Sequence, residues 1–216
     1  MITQGASRYP IEEPLSVGLQ NMAEPILGID FGSHKGCVSV YKNGQAEVIA
    51  NEQGNRATPA VVAFREDEVM VGETARTQTH KNKENTFSDL RALVHDACTL
   101  ETEESDAATS STVYIPVSDK NMPIEELLSL FFRKLHDTVQ GYIGRRVREC
   151  VLAVPSYFTP AHIDMMVEAA KQGGLRVKTT ISEPVAVALA HELDSVASFD
   201  SSRLQKVVVF DHGWSG

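Results

Sequence analysis

The sequence predicts a mixed α/β fold, because antiparallel hairpins occupy its first part and alternating strands and helices its second. The stretch from Ile26 to Ala50 holds three short apolar runs separated by tight turns. From Glu149 onward, apolar runs alternate with helical segments that begin after the capping residues Thr159 and Ser182. No internal repeat of a repeat-protein period is visible.

The first hairpin contains the first candidate chemistry. A strand ends at Asp30, and Gly32 and Gly36 bracket the turn that follows. Successive backbone N–H groups in such a turn point into one concavity that binds phosphate oxygens, while the carboxylate holds a metal ion directly or through water. From spacing alone, an ordinary hairpin with an exposed aspartate is the more common explanation. The next turn, Asn43-Gly44, is a strong hairpin signal.

The sequence pattern in the middle of the chain predicts short strands and helices followed by one long amphipathic helix. Apolar residues recur at three- and four-residue steps from Pro123 to Ile143, which indicates a helix with one buried face. Arg145, Arg146 and Arg148 follow and are interpreted as a solvated helix end. The other predicted elements here are strands Ala60–Phe64, Val69–Val71 and Val113–Val117 and helices Glu73–Lys81 and Phe87–Val94.

The sequence pattern in the last part of the chain predicts strands and helices in the order β-α-β-α-β. Pro160 suits the first turn of a helix, and Gly173-Gly174 suits its end. The predicted elements are strand Glu149–Pro155, the helix from Thr159, strand Arg176–Ile181, helix Glu183–Leu193 and strand Lys206–Asp211. Two strands in the chain, ILGIDFG and VVVFDHG, end on the same Asp-x-Gly pattern.

Composition excludes several classes of function. The net charge of −9 argues against nucleic acid and anionic membranes as partners. Three cysteines, widely spaced and free of CxxC or Cys/His clusters, argue against a disulfide framework or a zinc site. They favour a reducing compartment, the cytosol or the nucleus. No apolar run approaches the roughly 20 residues that span a bilayer.

Several motifs together resemble the seventy-kilodalton heat-shock chaperones, the DnaK-type family. They are ILGIDFGSHKG, VIANEQGNRATPAVVAF, ECVLAVPSYFTPAHIDMMVEAAKQGGL, ISEPVAVALAHEL and VVVFDHGWSG, in the family's order. The resemblance covers about the last 190 residues and implies the actin-like ATPase fold, in which two lobes close on ATP and Mg²⁺. We expect a flexible extension at 1–24, a first lobe at 25–205 with a variable insertion at about 72–148, and the opening strand of a second lobe at 206–216.

The resemblance also implies roles for individual residues. Glu183 matches the carboxylate that orients the attacking water, and Arg91 stands at the position of the catalytic lysine. The remaining matches are Asp30 and Asp211 as metal-associated aspartates acting through water, with Gly32, Ser33, His34, Lys35 and Gly213 at the nucleotide phosphates.

The chain departs from the family at several of these positions. Where the family usually has a second hydroxyl and then an aromatic residue, this chain has His34 and Lys35. Arg91 keeps the positive charge of the family's lysine with a bulkier, fork-shaped group. Trp214 interrupts the Gly-rich run of the second phosphate loop, and Gly216 lacks the usual hydroxyl. We therefore expect a divergent or shortened form with little or no hydrolysis by the 216-residue chain.

Three functions are compatible with this sequence. The first is an ATP-binding chaperone lobe, whose unfolded clients and co-chaperones would join only a full-length form. The second is a non-catalytic interaction module or decoy that binds chaperone partners or ribosome-associated factors. A sugar kinase of the actin-like superfamily is remote, because the NEQGNRATP and SEPVAVA segments are typical of chaperones. His80, His95, His136, His162 and His191 show no metal-ligand spacing.

Overall fold

The computed structural model describes residues 25–42, 44–100, 112–193 and 208–210. The described strands are β1 Leu27–Phe31, β2 Lys35–Lys42, β3 Gln45–Val48, β4 Thr58–Pro59, β5 Val61–Arg65, β6 Glu68–Val71, β7 Thr86–Ser88, β8 Thr112–Ile115, β9 Lys120–Pro123, β10 Glu149–Val154 and β11 Arg176–Ser182. The described α-helices are α1 Glu73–Gln78, α2 Leu90–Leu100, α3 Ile124–Ile143, α4 Pro160–Gln172 and α5 Glu183–Ala190.

The main sheet has the strand order β11-β10-β1-β2-β3, with β4 paired to β2. Strands β1, β10 and β11 run parallel to one another, whereas β2 and β3 are antiparallel to their neighbours. The carboxyl ends of the three parallel strands therefore lie at one edge of the sheet. In open α/β sheets, ligands bind at this edge.

The two faces of the main sheet differ in burial. Side chains of alternating residues in β1, β2 and β10 are buried, and the intervening positions are only partly covered or exposed. The period of two in the sequence produces this alternation, since successive side chains of a strand point to opposite faces. The buried set comprises Leu27, Ile29, Phe31, Val38, Val40, Cys150, Leu152 and Val154.

Helices α3 and α4 cover the buried face. The apolar positions of α3 form one stripe, which is buried from Ile124 to Val139. Helix α4 begins at Pro160 after the N-cap Thr159, as the sequence predicts. The stripe of α3 comprises Ile124, Leu127, Leu128, Phe131, Phe132, Leu135 and Val139.

An aromatic cluster joins the end of β1 to α3. The ring of Phe31 lies 5.3 Å from the stacked ring of Phe132 and 5.4 Å from the edge-on ring of Phe131. Gly36, the Cα partner of Phe31 on β2, lies directly under the ring of Phe131. A Cβ atom at residue 36 would lie 2.7 Å from Phe131 Cε1. The absence of a side chain at this glycine therefore allows the cluster to close.

A second, smaller sheet ends in the strand that leads into helix α2. Strand β5 pairs with β6 and β7, and β8 and β9 form a separate hairpin. Helix α2 follows β7, and Leu90, Val94 and Ala97 anchor it in the core. Within the described ranges, no helix combines the length and hydrophobicity needed to cross a bilayer.

Several boundaries differ from the sequence prediction. The predicted helix Phe87–Val94 is wrong at its start, because Phe87 pairs with Val62 as part of β7 and packs its ring against Phe64. The predicted helix to Lys81 ends at Gln78, and the predicted helix to Leu193 ends at Ala190. The predicted strand to Val117 ends at Ile115, where a 3-10 turn begins at Pro116.

Two predicted elements fall partly outside the described residues. Asn43 of the hairpin turn lies outside them, while Gly44 has φ of 80°, as a type I′ turn requires. Of the predicted strand Lys206–Asp211, only 208–210 are described, and these three residues are not part of a strand. Val208 and Phe210 are 89% and 87% exposed.

The close approach of Gly36 to Phe131 generates a stability prediction. The Gly36→Ala variant should lose about 1–3 kcal/mol of unfolding free energy, because the new methyl group forces the packed ring to move. Urea unfolding followed by circular dichroism measures this loss. Gly141→Ala is the matched control, since a Cβ atom at residue 141 of α3 would meet no neighbouring atom within 4 Å. That control should be neutral or stabilising, and an equal loss in both variants would contradict the packing argument.

The start of α4 generates a prediction about pH. Nδ1 of His162 accepts a hydrogen bond from the backbone N–H of Thr159 at 3.1 Å, and the buried ring stacks between Phe158 and His95. Burial, and secondarily the charge of His95, lower the pKa of His162. The unfolded chain therefore binds more protons as the pH falls below about 6.5, and the fold loses stability in that range.

The His162→Gln variant should lose less stability than the parent chain between about pH 7.5 and about pH 5.5, the range that spans the ordinary pKa of histidine. Thr159 and His162 form a capping box, in which the side chain of residue 162 accepts a hydrogen bond from the backbone N–H of Thr159. Glutamine at residue 162 keeps this acceptor and does not titrate. Urea midpoints at the two pH values measure the difference. His80→Gln, at an exposed position, is the control and should keep the parent's pH dependence. Equal pH dependence in all three proteins would rule out His162 as the source.

Candidate functional site

The candidate site lies at the edge of the main sheet where the parallel strands end. Asp30 is the last but one residue of β1, and the turn Gly32–Lys35 follows that strand. Strand β11 ends at Ser182, and Glu183 begins α5 directly after it. Because β1 and β11 both flank β10 in parallel, their carboxyl ends bring these residues to the same edge.

The turn after β1 is tight and well anchored. The N–H of Gly32 donates to the carbonyl oxygen of Lys35 at 3.0 Å, and the N–H of Ala60 donates to the carbonyl oxygen of His34 at 2.8 Å. A Cβ atom at residue 32 would lie 2.9 Å from the Lys35 carbonyl oxygen. The turn therefore requires glycine at this position. The side chains of His34 and Lys35 are exposed.

The segment before α2 directs Arg91 toward this turn. Asp89 adopts φ of 53°, and its Oδ1 atom accepts a hydrogen bond from the Ala92 N–H at 3.4 Å. Buried Leu90 then fixes the first turn of α2 against the core. Arg91 follows Leu90 in that first turn, so its side chain leaves the helix at a well-anchored position.

Arg91 joins the two sides of the site. Its Nη1 atom donates to Glu183 Oε1 at 2.8 Å, and its Nε atom donates to Ser33 Oγ at 3.1 Å. The side chains of Arg91 and Glu183 are 20% and 22% exposed. Ser33 and Glu183 are 58 and 92 positions from Arg91 along the chain. The fork of a guanidinium allows both contacts at once, in a fixed geometry that an ammonium does not have.

An open cavity of about 280 Å³ adjoins the site on the less covered face of the sheet. Asp30 and Cys37, which face each other across β1 and β2, both line it. Burial raises the pKa of the Cys37 thiol, and the negative charge of Asp30 raises it further. Cys37 and Ser39 have no assigned role in the sequence analysis, although alternation along β2 places them on one face.

The predicted site residues thus fall into three groups. The structure brings Ser33, Arg91 and Glu183 into contact, and Asp30 and Gly32 lie on the strand and turn that carry Ser33. His34 and Lys35 belong to the same turn but are exposed. Asp211 and Gly213 lie outside the described residues.

The donor set fits a nucleotide phosphate with a hydrated divalent ion. Asp30 offers a carboxylate, which suits Mg²⁺ through water, and Arg91 and Ser33 offer a cation and a hydroxyl to phosphate oxygens. Among the described residues, no three His, Cys, Asp or Glu side chains cluster closely enough to cage a metal directly.

Two comparisons with known proteins bear on the family of this chain. The family model described as Hsp70 protein matches residues 26–216. Over 199 residues, the chain is 34% identical to the Chaperone protein DnaK of Stenotrophomonas maltophilia (strain R551-3), an alignment that covers 87% of this chain and 30% of that protein. The chain thus spans less than a third of the length of this relative. The chain belongs to the Hsp70 family, whose nucleotide-binding domain has the actin-like ATPase fold.

Proposed function

We propose that the chain forms the first lobe of an Hsp70-type nucleotide-binding domain, and that it binds ATP with Mg²⁺ but hydrolyses it weakly. The observation that carries the proposal is the bridge from Arg91 to both Glu183 and Ser33, next to Asp30 at the carboxyl edge of the sheet. A carboxylate, a hydroxyl, a guanidinium and a glycine turn converge there, and such groups serve the positioning and charge stabilisation that phosphoryl transfer requires.

Each residue has a defined task in this proposal. Gly32 and Ser33 bind phosphate oxygens, and Asp30 orients the water shell of the divalent ion. The ion supplies positive charge that neutralises the phosphates. Glu183 orients the attacking water, and Arg91 stabilises negative charge that develops during transfer. Asp211 and Gly213 would contribute from the second phosphate loop.

The geometry of Arg91 also supports slow hydrolysis. One oxygen of Glu183 already accepts a hydrogen bond from Arg91 at 2.8 Å, so this oxygen is less available to orient a water molecule. The partly buried position of the pair limits solvent screening of their attraction. The same contact favours the second candidate function, a non-catalytic interaction module or decoy, because it occupies both catalytic groups with each other.

Membership of the family also suggests partners and a cellular compartment for this chain, which we include in the proposal. In a full-length form, unfolded clients and co-chaperones would be the partners, with ribosome-associated factors as a further class. Within the described part of the chain, Cys37, Cys98 and Cys150 form no disulfide, and burial raises the pKa of Cys150 to about 12. Unpaired cysteines are typical of proteins from a reducing compartment, so we propose the cytosol.

Isothermal titration with ATP and Mg²⁺ tests the binding part of the proposal. The chain should bind ATP in an Mg²⁺-dependent way, and Asp30→Asn should weaken binding about tenfold, because the carboxylate that orders the hydrated ion is lost. Asp67→Asn removes the same charge from the exposed turn between β5 and β6 and should leave the affinity unchanged. Absence of any binding heat in the parent chain would favour the interaction module.

Turnover measurements test the role of Arg91. Arg91→Lys should increase ATP hydrolysis at least about threefold, because a lysine ammonium lacks the fork that engages Ser33 and Glu183 together and leaves the carboxylate freer. Glu183→Gln should abolish the remaining activity in either background. Arg76→Lys, in the more exposed pair with Glu73, is the control and should have no effect. Faster hydrolysis by the parent than by Arg91→Lys would show that the guanidinium is the better catalyst here.

A further inference from the structure

A second cavity lies at the opposite end of the strands from the nucleotide site. It has a volume of about 460 Å³, and Pro25, Tyr41, Lys42, Tyr142 and Arg145 are among its lining residues; we call it the tyrosine groove. It lies between the end of β2 and the end of α3. Tyr41 and Tyr142 are 52% and 51% exposed, so two large aromatic side chains present their surface to the same groove.

The tyrosine groove combines aromatic surface with positive charge. Lys42 and Arg145 make no ion pair with any other residue in the described ranges. The hydroxyl of Tyr142 donates to Glu47 Oε1 at 2.5 Å, which fixes the ring at the wall of the groove. A groove of this kind suits an acidic segment that contains proline, because proline rings pack on aromatic faces and carboxylates pair with the two cations.

The sequence of the chain contains such a segment before Pro25. Pro25, the first described residue, lines the groove, so residues 1–24 connect to the described part of the chain at this point. Within them, Tyr9–Leu15 reads Tyr-Pro-Ile-Glu-Glu-Pro-Leu and contains two prolines, two glutamates and two large aliphatic residues. We propose that Tyr9–Leu15 docks in the tyrosine groove of its own chain.

Chain length permits this docking. Residues 16 to 24 separate Leu15 from Pro25. An extended chain of that length spans about 30 Å, which is enough to turn back along the groove. The tether also makes binding intramolecular, at an effective concentration of about 1 mM, so a few weak contacts suffice. Glu12 and Glu13 would face Lys42 and Arg145, while Pro10 and Pro14 would pack on the two tyrosines.

Proteolysis of the full chain tests the docking. Thermolysin cleaves before aliphatic residues, and mass spectrometry follows its initial cuts between Ile11 and Val17. The double variant Lys42→Glu with Arg145→Glu should be cut about three to ten times faster than the parent, because cleavage follows the population of the undocked segment. The control Arg65→Glu with Lys83→Glu changes the net charge equally at exposed sites outside the groove and should match the parent.

A charge swap separates docking from a general loss of stability. Glu12→Lys with Glu13→Lys changes only residues outside the described part and should increase cleavage to the same extent. Combining this pair with the groove variant restores opposite charges and should restore the parent's slow cleavage. The same extension variant combined with the control pair should stay fast. Thermal unfolding by circular dichroism checks that all proteins are folded.

Three results would overturn the proposal. One is equal cleavage in the parent and both double variants. Another is a combined variant that is cut faster still, which would mean that the charges act independently. A third is protection that grows with protein concentration, which would show that the segment of a second copy occupies the groove. Because neither Lys42 nor Arg145 belongs to the nucleotide site, failure here leaves the proposed function untouched.

Discussion

The packing of Phe31 against Phe131 and Phe132 is the interaction on which the candidate site depends. Phe31 ends β1, so the contact fixes the point where the central strand leaves the sheet. The next residue is Gly32, whose turn begins at once. A shift of the aromatic cluster would therefore displace the whole turn Gly32–Lys35. Gly36 allows the cluster to close, because no side chain separates β2 from Phe131.

The parallel pairing of β1, β10 and β11 is the second constraint. It aligns strand ends that are far apart in the sequence, and it places Glu183 on the same edge as Asp30. The helix α2 comes from outside this sheet and adds Arg91 from the side. A guanidinium can bond to two partners at fixed angles, so Arg91 ties the first turn of α2 to both strand ends.

Arginine at residue 91 differs from lysine in more than the size of its side chain. A lysine in this place would carry a compact charge on a flexible stem, while arginine forms a planar bridge between Ser33 and Glu183. The bridge orders the site and at the same time occupies the hydroxyl of Ser33 and one oxygen of Glu183, the groups to which the proposed function assigns the nucleotide chemistry. His34 and Lys35, whose side chains are exposed, belong to the rim of the turn rather than to its packed part.

The sequence alone predicted the α/β class, most strands, the long helix α3 and the start of α4, because period and capping are local properties of the chain. The prediction failed at Phe87, where pairing with Val62 of β5 overrode a helical pattern. Family resemblance named Ser33, Arg91 and Glu183 separately. Their mutual contact, and the meeting of two exposed tyrosines with two cations in one groove, depend on residues distant in the chain. Only tertiary packing determines these two sets of contacts, because no local sequence pattern specifies which strand ends and helices come together.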